Sequence, residues 1–380
     1  MRGRRMTETR RAALARRRRA LGLSQEDLAD RLRIDVRTVG RWEAGTGEPQ
    51  PWLRRPLAEL LQLGLDDLES VLRQTGDAGG VGCAEGADVP GLIDALDRLD
   101  AGYATTPSIA LLPTANRHID QITSLRDRAR SPRERRQLDI LEAKARIFLG
   151  QVLWDAAQRR SHDIAEAQLE QATHLAERCR DPAVESAALL RRSFLALYGR
   201  RSAEDGLALT IRASEAARDV SPAIIALANL HSAEAHAMLG DATACRALLK
   251  AADGAASRID DDDPGLSLYT PSVAARMTGS CLIRLGDYDA ALSALTQAEL
   301  ESPPAKTLAM VVGNSALALA LSGEVDGAAE RLSEVIDMIE LTRGGGALNI
   351  AFQVGRAIHR QGRAAAARDV IDRLLSLMAG

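Results

Sequence analysis

From about residue 10 the chain reads as short amphipathic helices. Leu14 and Leu21 share the inward face of a first helix over about Thr9–Leu21, which Gly22 ends. Ser24 opens a second helix as its N-cap, with Asp27 three residues on as the acidic partner of a capping box. Leu28, Ala29 and Leu32 fall on one face of it. A break at Arg33-Ile34 follows, and Asp35 caps a third helix from Val36 to Glu43 whose inward face is Val36, Val39 and Trp42. Residues 44–49 form a loop by their glycines and proline, ahead of a fourth helix over about Trp52–Leu63 and a fifth over Asp66–Leu72. Periodicity then lapses in the glycine-rich stretch 75–90, which reads as a flexible linker, and helical patterns resume to the end. The expected division is 1–74, 75–90 and 91–380.

The second part carries a repeat. Gly279, Gly286, Tyr288, Ala291, Ala298 and Pro303 are spaced as in the tetratricopeptide repeat, which residues 271–303 resemble. The small residues let two antiparallel helices approach, and Gly286-Asp287 turns the chain between them. The same helix–glycine–helix unit recurs around Gly199, Gly240, Gly286, Gly323 and Gly362, at intervals of 41, 46, 37 and 39 residues. With an earlier pair over 134–180 this predicts six helix pairs in a right-handed superhelix, and residues 92–130 add a further helix or two. Each unit of such an array touches only its neighbours, so the array should flex like a spring. The acidic run Asp260-Asp261-Asp262-Asp263 accounts for the longest interval and reads as a solvated loop, having no EF-hand spacing.

Composition supports an all-α fold: aromatics are 3 % of 380 residues, and alanine, leucine and arginine dominate. The net charge of −3 conceals an asymmetry. Residues 1–75 hold 16 basic and 11 acidic side chains, a charge of +5, so the remainder carries −8. A basic head on an acidic body suits a head that meets phosphate, although a solvated basic tail has the same composition. Cys83, Cys179, Cys245 and Cys281 form no Cys-x-x-Cys pair, which argues for reduced thiols in a cytoplasm and against a disulfide frame or zinc site. No signal peptide follows the basic N-terminus, and the most apolar segment, Leu308–Leu321, is short and broken by Asn314, so no membrane span is expected.

The run from Leu23 to Gly45 closely resembles the helix-turn-helix of the phage repressor and Cro family, the xenobiotic-response-element type. Ala29 lies where the two helices cross, Ile34 plugs the turn, and Trp42-Glu43-Ala44-Gly45 ends the recognition helix. Two residues depart from the family: Arg33 stands where the turn usually has glycine, and Arg17 stands at an often-leucine position, weakening the packing of the first helix. The resemblance implies that Gln25 donates to a backbone phosphate. It also implies that Arg37 and Arg41, with Thr38 beside them, read base edges in the major groove, Gly40 removing bulk between them. The DNA-facing set is Gln25, Val36, Arg37, Thr38 and Arg41. Arg18 is implied to pair with Glu43 in a structural role. A generic helical bundle, or a repressor fold that kept only protein contacts, is the bland reading.

In tetratricopeptide arrays the first helix of each pair lines the groove. Carried over, the inward residues are His231 and Glu234, Arg276 and Ser280, Asn314, then Asn349, Gln353 and Arg356. Asparagine can hold a peptide backbone and arginine can clamp a carboxylate, though a ligand-free groove is polar too. His231, Glu234 and His236 do not share a helix face, so no metal is expected, nor any cofactor or catalytic arrangement. Trp154-Asp155 reads as helix-end packing. A repressor-type head with such an array resembles the cytoplasmic peptide-sensing regulators of Gram-positive bacteria. That resemblance implies a cytoplasmic, nucleoid-associated homodimer on a near-palindromic double-stranded operator, with a short peptide or small molecule as effector. A DNA-tethered scaffold whose array binds a protein partner is the alternative.

Overall fold

The computed structural model describes residues 12–32, 34–61, 63–64, 68, 71–72, 88–157, 162–361 and 368–379. Arg33, most of the expected fifth helix, Cys83 with nearly all of the 75–90 stretch, and Gly362 lie outside them. Among the described residues the structure is helical with no strand. The chain divides into two compact units, one comprising residues 1–88 with Leu112–Arg117 and the other comprising the remainder.

In the first unit the helices are α1 (Ala12–Ala20), α2 (Gln25–Leu32), α3 (Val36–Glu43) and α4 (Pro51–Leu60). Leu14, Leu21, Leu28, Val39, Trp42, Leu57, Leu61 and Leu68 are all buried, so the apolar positions read from the periodicity do converge on one core. Two positions differ. Val36 is 36 % exposed, because the first residue of α3 points outward and leaves Val39 and Trp42 to form the inward face. Arg17 is buried and does not leave a packing defect: its Nε donates to the carbonyl of Leu61 at 2.8 Å, satisfying an acceptor where α4 ends.

The second unit opens with α5 (Val89–Tyr103) and α6 (Ser108–Asp127), so the last two residues of the expected linker are helical. Six antiparallel pairs follow, as the repeat predicted. They are α7 (Pro132–Ala156) with α8 (Asp163–Cys179), and α9 (Pro182–Phe194) with α10 (Ala203–Ala217). Next come α11 (Pro222–Leu239) with α12 (Ala242–Ala256), and α13 (Pro271–Arg284) with α14 (Tyr288–Leu300). The last are α15 (Ala305–Ser322) with α16 (Val325–Thr342), and α17 (Gly345–Arg360) with α18 (Arg368–Ala379). Five of the first helices begin after a Ser, Asp, Thr or Pro, four of them with proline in the first turn, where its missing N–H costs nothing. Gly279 is where α13 and α14 touch: a Cβ there would lie 2.7 Å from Leu295. Gly286 turns the chain with φ +79°, and Gly240 and Gly323 end α11 and α15 in the same left-handed way.

Three expectations change. Gly199 is not the turn of the second pair. It lies in a π-helical turn (Leu195–Arg200), and the left-handed residue that ends it is Arg201, φ 57°. The acidic insert is not wholly solvated. Asp263 is buried and its carboxylate accepts from Ser221 Oγ, the Ala223 N–H at 2.8 Å and the Gly265 N–H at 2.7 Å, which pins the loop to the start of α11. Finally, Cys245 and Cys281, distant in sequence, are buried side by side and share a thiol hydrogen bond.

The array also departs from the spring. Lys306, in the first turn of α15, is 6 % exposed, and Asp155, at the end of α7, is 3 % exposed. The Lys306 ammonium lies 2.8 Å from Ser108 Oγ, 3.2 Å from Asp155 Oδ2 and 4.1 Å from the centroid of the Tyr103 ring. Asp155 also accepts from Ser108 Oγ at 2.7 Å and from the Gly345 N–H at 2.8 Å, and the Lys306 N–H donates to Ala104. The first pair is thus clasped to the fifth and sixth, which nearest-neighbour stacking does not anticipate. The α15 helix is long and apolar enough to span a membrane, but more than half of it is buried. Its Val312 and Ala316 pack in one core with Leu332 and Val335 of α16 and Val354 of α17.

Candidate functional sites: the recognition helix and the array cavity

In the first unit the caps set the helices that would meet DNA. Ser24 Oγ accepts the Asp27 N–H at 2.9 Å while Asp27 Oδ2 accepts the Ser24 N–H at 2.8 Å, the full reciprocal box. Those hydrogen bonds from Ser24 hold the Asp27 carboxyl below the usual carboxylate range. Asp35 caps α3 by accepting the Arg37 N–H at 2.7 Å. Beneath α3, Glu43 is buried and takes Arg18 in a fork, Nε at 2.6 Å and Nη2 at 3.1 Å. A third Arg18 nitrogen, Nη1, donates to the Leu23 carbonyl at 2.6 Å. The pair implied by the family resemblance is therefore present, and it ties the ends of α1 and α3 to the start of α2.

The structure places Val36, Arg37 and Arg41 on the exposed side of α3, with Thr38 half-buried beside them. Gln25 is engaged within the unit: its amide nitrogen donates to Glu43 Oε2 at 2.6 Å, leaving one N–H for a phosphate. A Cβ on Gly40 would lie 3.9 Å from Gln25 Oε1, so the glycine sits against α2 and not in the gap between the two arginines.

Inside the helical array lies a cavity of about 930 Å³ lined by the first helix of all six pairs. His231, Glu234, Arg276, Ser280, Asn314, Asn349, Gln353 and Arg356 all line it. They gather there because positions three, four or seven apart share a helix face, and each first helix turns that face inward.

The cavity wall has a hydrogen-bonded centre. Tyr198 Oη donates to Glu234 Oε2 at 2.6 Å. With its one proton so used, the Tyr198 oxygen accepts from His231 Nδ1 at 2.8 Å, which sets the tautomer and leaves Nε2 as an acceptor. Ser280 Oγ donates to Glu234 Oε1 at 3.1 Å, and Arg284 Nε lies 3.5 Å from the same oxygen. The Phe194 ring packs on His231 with centroids 4.1 Å apart. Burial, and then the charges of Arg276 and Arg191, hold the His231 imidazole well below its usual value, so it is neutral. Burial and the adjacent Glu234 push the Tyr198 phenol up. The remaining groove residues are looser: Asn314 is buried, Asn349 donates back to Gly345 of its own helix, and Arg356 is exposed.

Sequence reasoning missed Arg191, Phe194 and Tyr198. Phe194 and Tyr198 are four apart, but the π-helical turn that aims Tyr198 at His231 has no sequence signal. Its support is visible only in space: a Cβ on Gly199 would lie 2.7 Å from the His162 ring, and His162 Nδ1 accepts from Trp154 Nε1 at 3.2 Å. Trp154 and Asp155 also line the cavity, in addition to packing a helix end. His236 faces Asp241 instead of this cluster, and among the described residues no group of His, Cys, Asp or Glu could hold a metal ion.

Residues 14–68 match the helix-turn-helix family model HTH_3, so the chain begins with a Cro/C1-type helix-turn-helix domain. The protein is a DNA-binding helix-turn-helix regulator with a helical repeat body. No curated protein matches it. Among solved structures, PlcR of Bacillus thuringiensis, in complex with a peptide and DNA, is 12 % identical over 78 % of this chain and 97 % of its own, with a TM-score of 0.35. A Rap protein complexed with Competence and Sporulation Factor is 13 % identical over 77 % of this chain and 94 % of its own, TM-score 0.42. The apo competence regulator ComR of Streptococcus vestibularis is 12 % identical over 94 % and 97 %, TM-score 0.26. At these values the likeness is one of helical architecture alone.

Proposed function

We propose that this protein is a sequence-specific transcriptional regulator, dimeric through its array, whose cavity takes a short peptide or small-molecule signal that changes operator affinity. Residues 1–74 act as the DNA-binding head, 75–90 as the linker and 91–380 as the sensor. The head reads a near-palindromic site through Gln25, Val36, Arg37, Thr38 and Arg41. The exposed pair Arg37 and Arg41 is spaced one turn apart, as bidentate reading of guanine requires. The observation that carries the sensing role is the cavity. Its volume of about 930 Å³ is in the range of small-ligand sites, and every pair of the array contributes to its wall. A ligand there touches all six first helices at once, so it can bias the arrangement of the whole array.

The test is genome-wide mapping of bound DNA with and without cell extract, together with light scattering of the free and DNA-bound protein. Extract-dependent occupancy by a dimer is the expected result. A monomer in both states removes the dimer. Occupancy indifferent to extract, with one protein co-purifying stoichiometrically, replaces the sensor with a DNA-tethered scaffold.

A further inference from the structure

We infer that the occupant of the array cavity is anionic, with a carboxylate seated against Arg191 and Arg276 beside His231. The inference rests on the sensing role proposed above and adds the chemistry of the ligand.

Charge on the wall is the first argument. Six arginines line the cavity: Arg191, Arg201, Arg276, Arg284, Arg356 and Arg360. Three carboxylates oppose them: Asp100, Asp155 and Glu234. The excess of three positive charges lies inside a body whose residues 76–380 sum to −8. Two of the carboxylates are also committed. Asp155 belongs to the clasp, where it meets Lys306, Ser108 and the Gly345 N–H. Glu234 receives Tyr198, Ser280 and Arg284. Asp100 lies close enough to Arg191 to feel its charge. A concave wall of one sign focuses its field into the cavity and draws in the opposite charge.

Placement is the second argument. Arg191 comes from α9 and Arg276 from α13, and the charges of both bear on His231 of α11 between them. The neutral imidazole balances neither. The Arg191 guanidinium rests over the Phe194 ring at 5.2 Å, which orients its plane. Planar guanidinium groups facing one cavity suit the two oxygens of a carboxylate. A cationic ligand would meet the positive excess, with both Asp155 and Glu234 already occupied.

The test uses the full-length protein in equilibrium dialysis, with mass spectrometry of what is retained. The probes are a pool of pentapeptides rich in Asp and Glu, a pool rich in Lys, and a mixture of small dicarboxylic acids. We expect the acidic pool or the dicarboxylates to be retained at least about tenfold over the Lys-rich pool; which of the two is held identifies the source of the carboxylate. Arg276→Gln should reduce that retention about tenfold, and Arg276→Lys should reduce it less. Arg356→Glu changes an exposed side chain, so folding is not at stake, and it should move the preference toward the Lys-rich pool. Equal or better retention of the Lys-rich pool by the parent overturns the charge inference and leaves the cavity a ligand site. Retention of none of the three overturns both.

Discussion

The clasp between Asp155 and Lys306 gives a quantitative test of how the array is held. Asp155→Ala leaves a 6 %-exposed ammonium with no counter-ion and takes an acceptor from Ser108 and from the Gly345 N–H. Breaking a buried pair from one side costs about 3–5 kcal/mol, since the stranded charge stays desolvated. Lys306→Met is milder, because Asp155 keeps Ser108 and the Gly345 N–H as donors; loss of one charged hydrogen-bond partner costs about 1–3 kcal/mol. Asp155→Leu with Lys306→Met puts apolar groups on both sides. It should cost less than the two single losses combined, with a coupling of at least about 1 kcal/mol. Urea unfolding followed by far-UV circular dichroism measures these costs, and hydrogen exchange at Gly345 reports the freed amide. The pH dependence has a definite sign. Burial lowers the Lys306 amine from its usual value and Asp155 opposes that shift, so without Asp155 the amine falls further. The unfolded chain then binds more protons than the folded one, and stability rises with pH toward the unfolded amine value. The Asp155→Ala defect should therefore shrink between pH 7 and 9. Additive single costs, a defect independent of pH and unchanged small-angle scattering would together refute the clasp as the element that closes the array.

Three further outcomes follow from the sites. Arg37→Ala and Arg41→Ala should each weaken operator binding by about 1–3 kcal/mol and relax base preference at fixed salt; unaltered affinity and preference in both would remove them from the DNA-facing set. Glu43→Ala should destabilise the head by about 3 kcal/mol in thermal unfolding, because Arg18 stays buried with only the Leu23 carbonyl; a loss below about 1 kcal/mol would show the fork to be dispensable. His231 is held neutral among Arg191, Arg276, Tyr198 and Glu234, so the unfolded state gains a proton that the folded state refuses as pH falls through the usual imidazole value near 6.5. Stability should thus drop from pH 7.5 to 5.5, and His231→Gln should flatten that slope without abolishing it, since buried His118 is lowered in the same direction; equal slopes would refute the assignment.

What could be read from the sequence was what local chemistry determines. The capping box of Ser24 and Asp27, the Asp35 cap, the inward Leu28 and Val39, and the close approach at Gly279 each depend on residues within one or two helices. They appear in the structure at the expected positions. The number of helix pairs was legible for the same reason: each pair announces itself by its own small residues and turn. Glycine failed as a marker where another residue took the left-handed position. Arg180, Arg201 and Arg343 end helices at φ near +50°, a geometry that costs a non-glycine residue about 1 kcal/mol, and no sequence rule selects an arginine for it. Hence the turn of the second pair was assigned to Gly199, which serves instead to admit the His162 ring.

What the sequence concealed were the interactions that cross the array. Asp155 at a helix end and Lys306 in a helix start look like ordinary surface charges when read singly, and only closure of the array brings them within 3.2 Å. The same closure gives the groove residues their meaning. His231 and Glu234 read as free polar groups on a helix face, yet both are 2 % exposed and bound to each other through Tyr198 from the preceding pair. A free Glu234 would have made the cavity attractive to cations. Once Tyr198, Ser280 and Arg284 satisfy it, the arginines set the potential of the wall. The ligand chemistry thus follows from which charges the fold has already neutralised, and a count of polar residues along the sequence leaves that open. If Glu234 were replaced by Gln, the Tyr198 and Ser280 hydroxyls could still be accepted by an amide oxygen while one negative charge left the wall. Retention of acidic peptides should then rise and not fall, and a fall would show that Glu234 contacts the ligand itself.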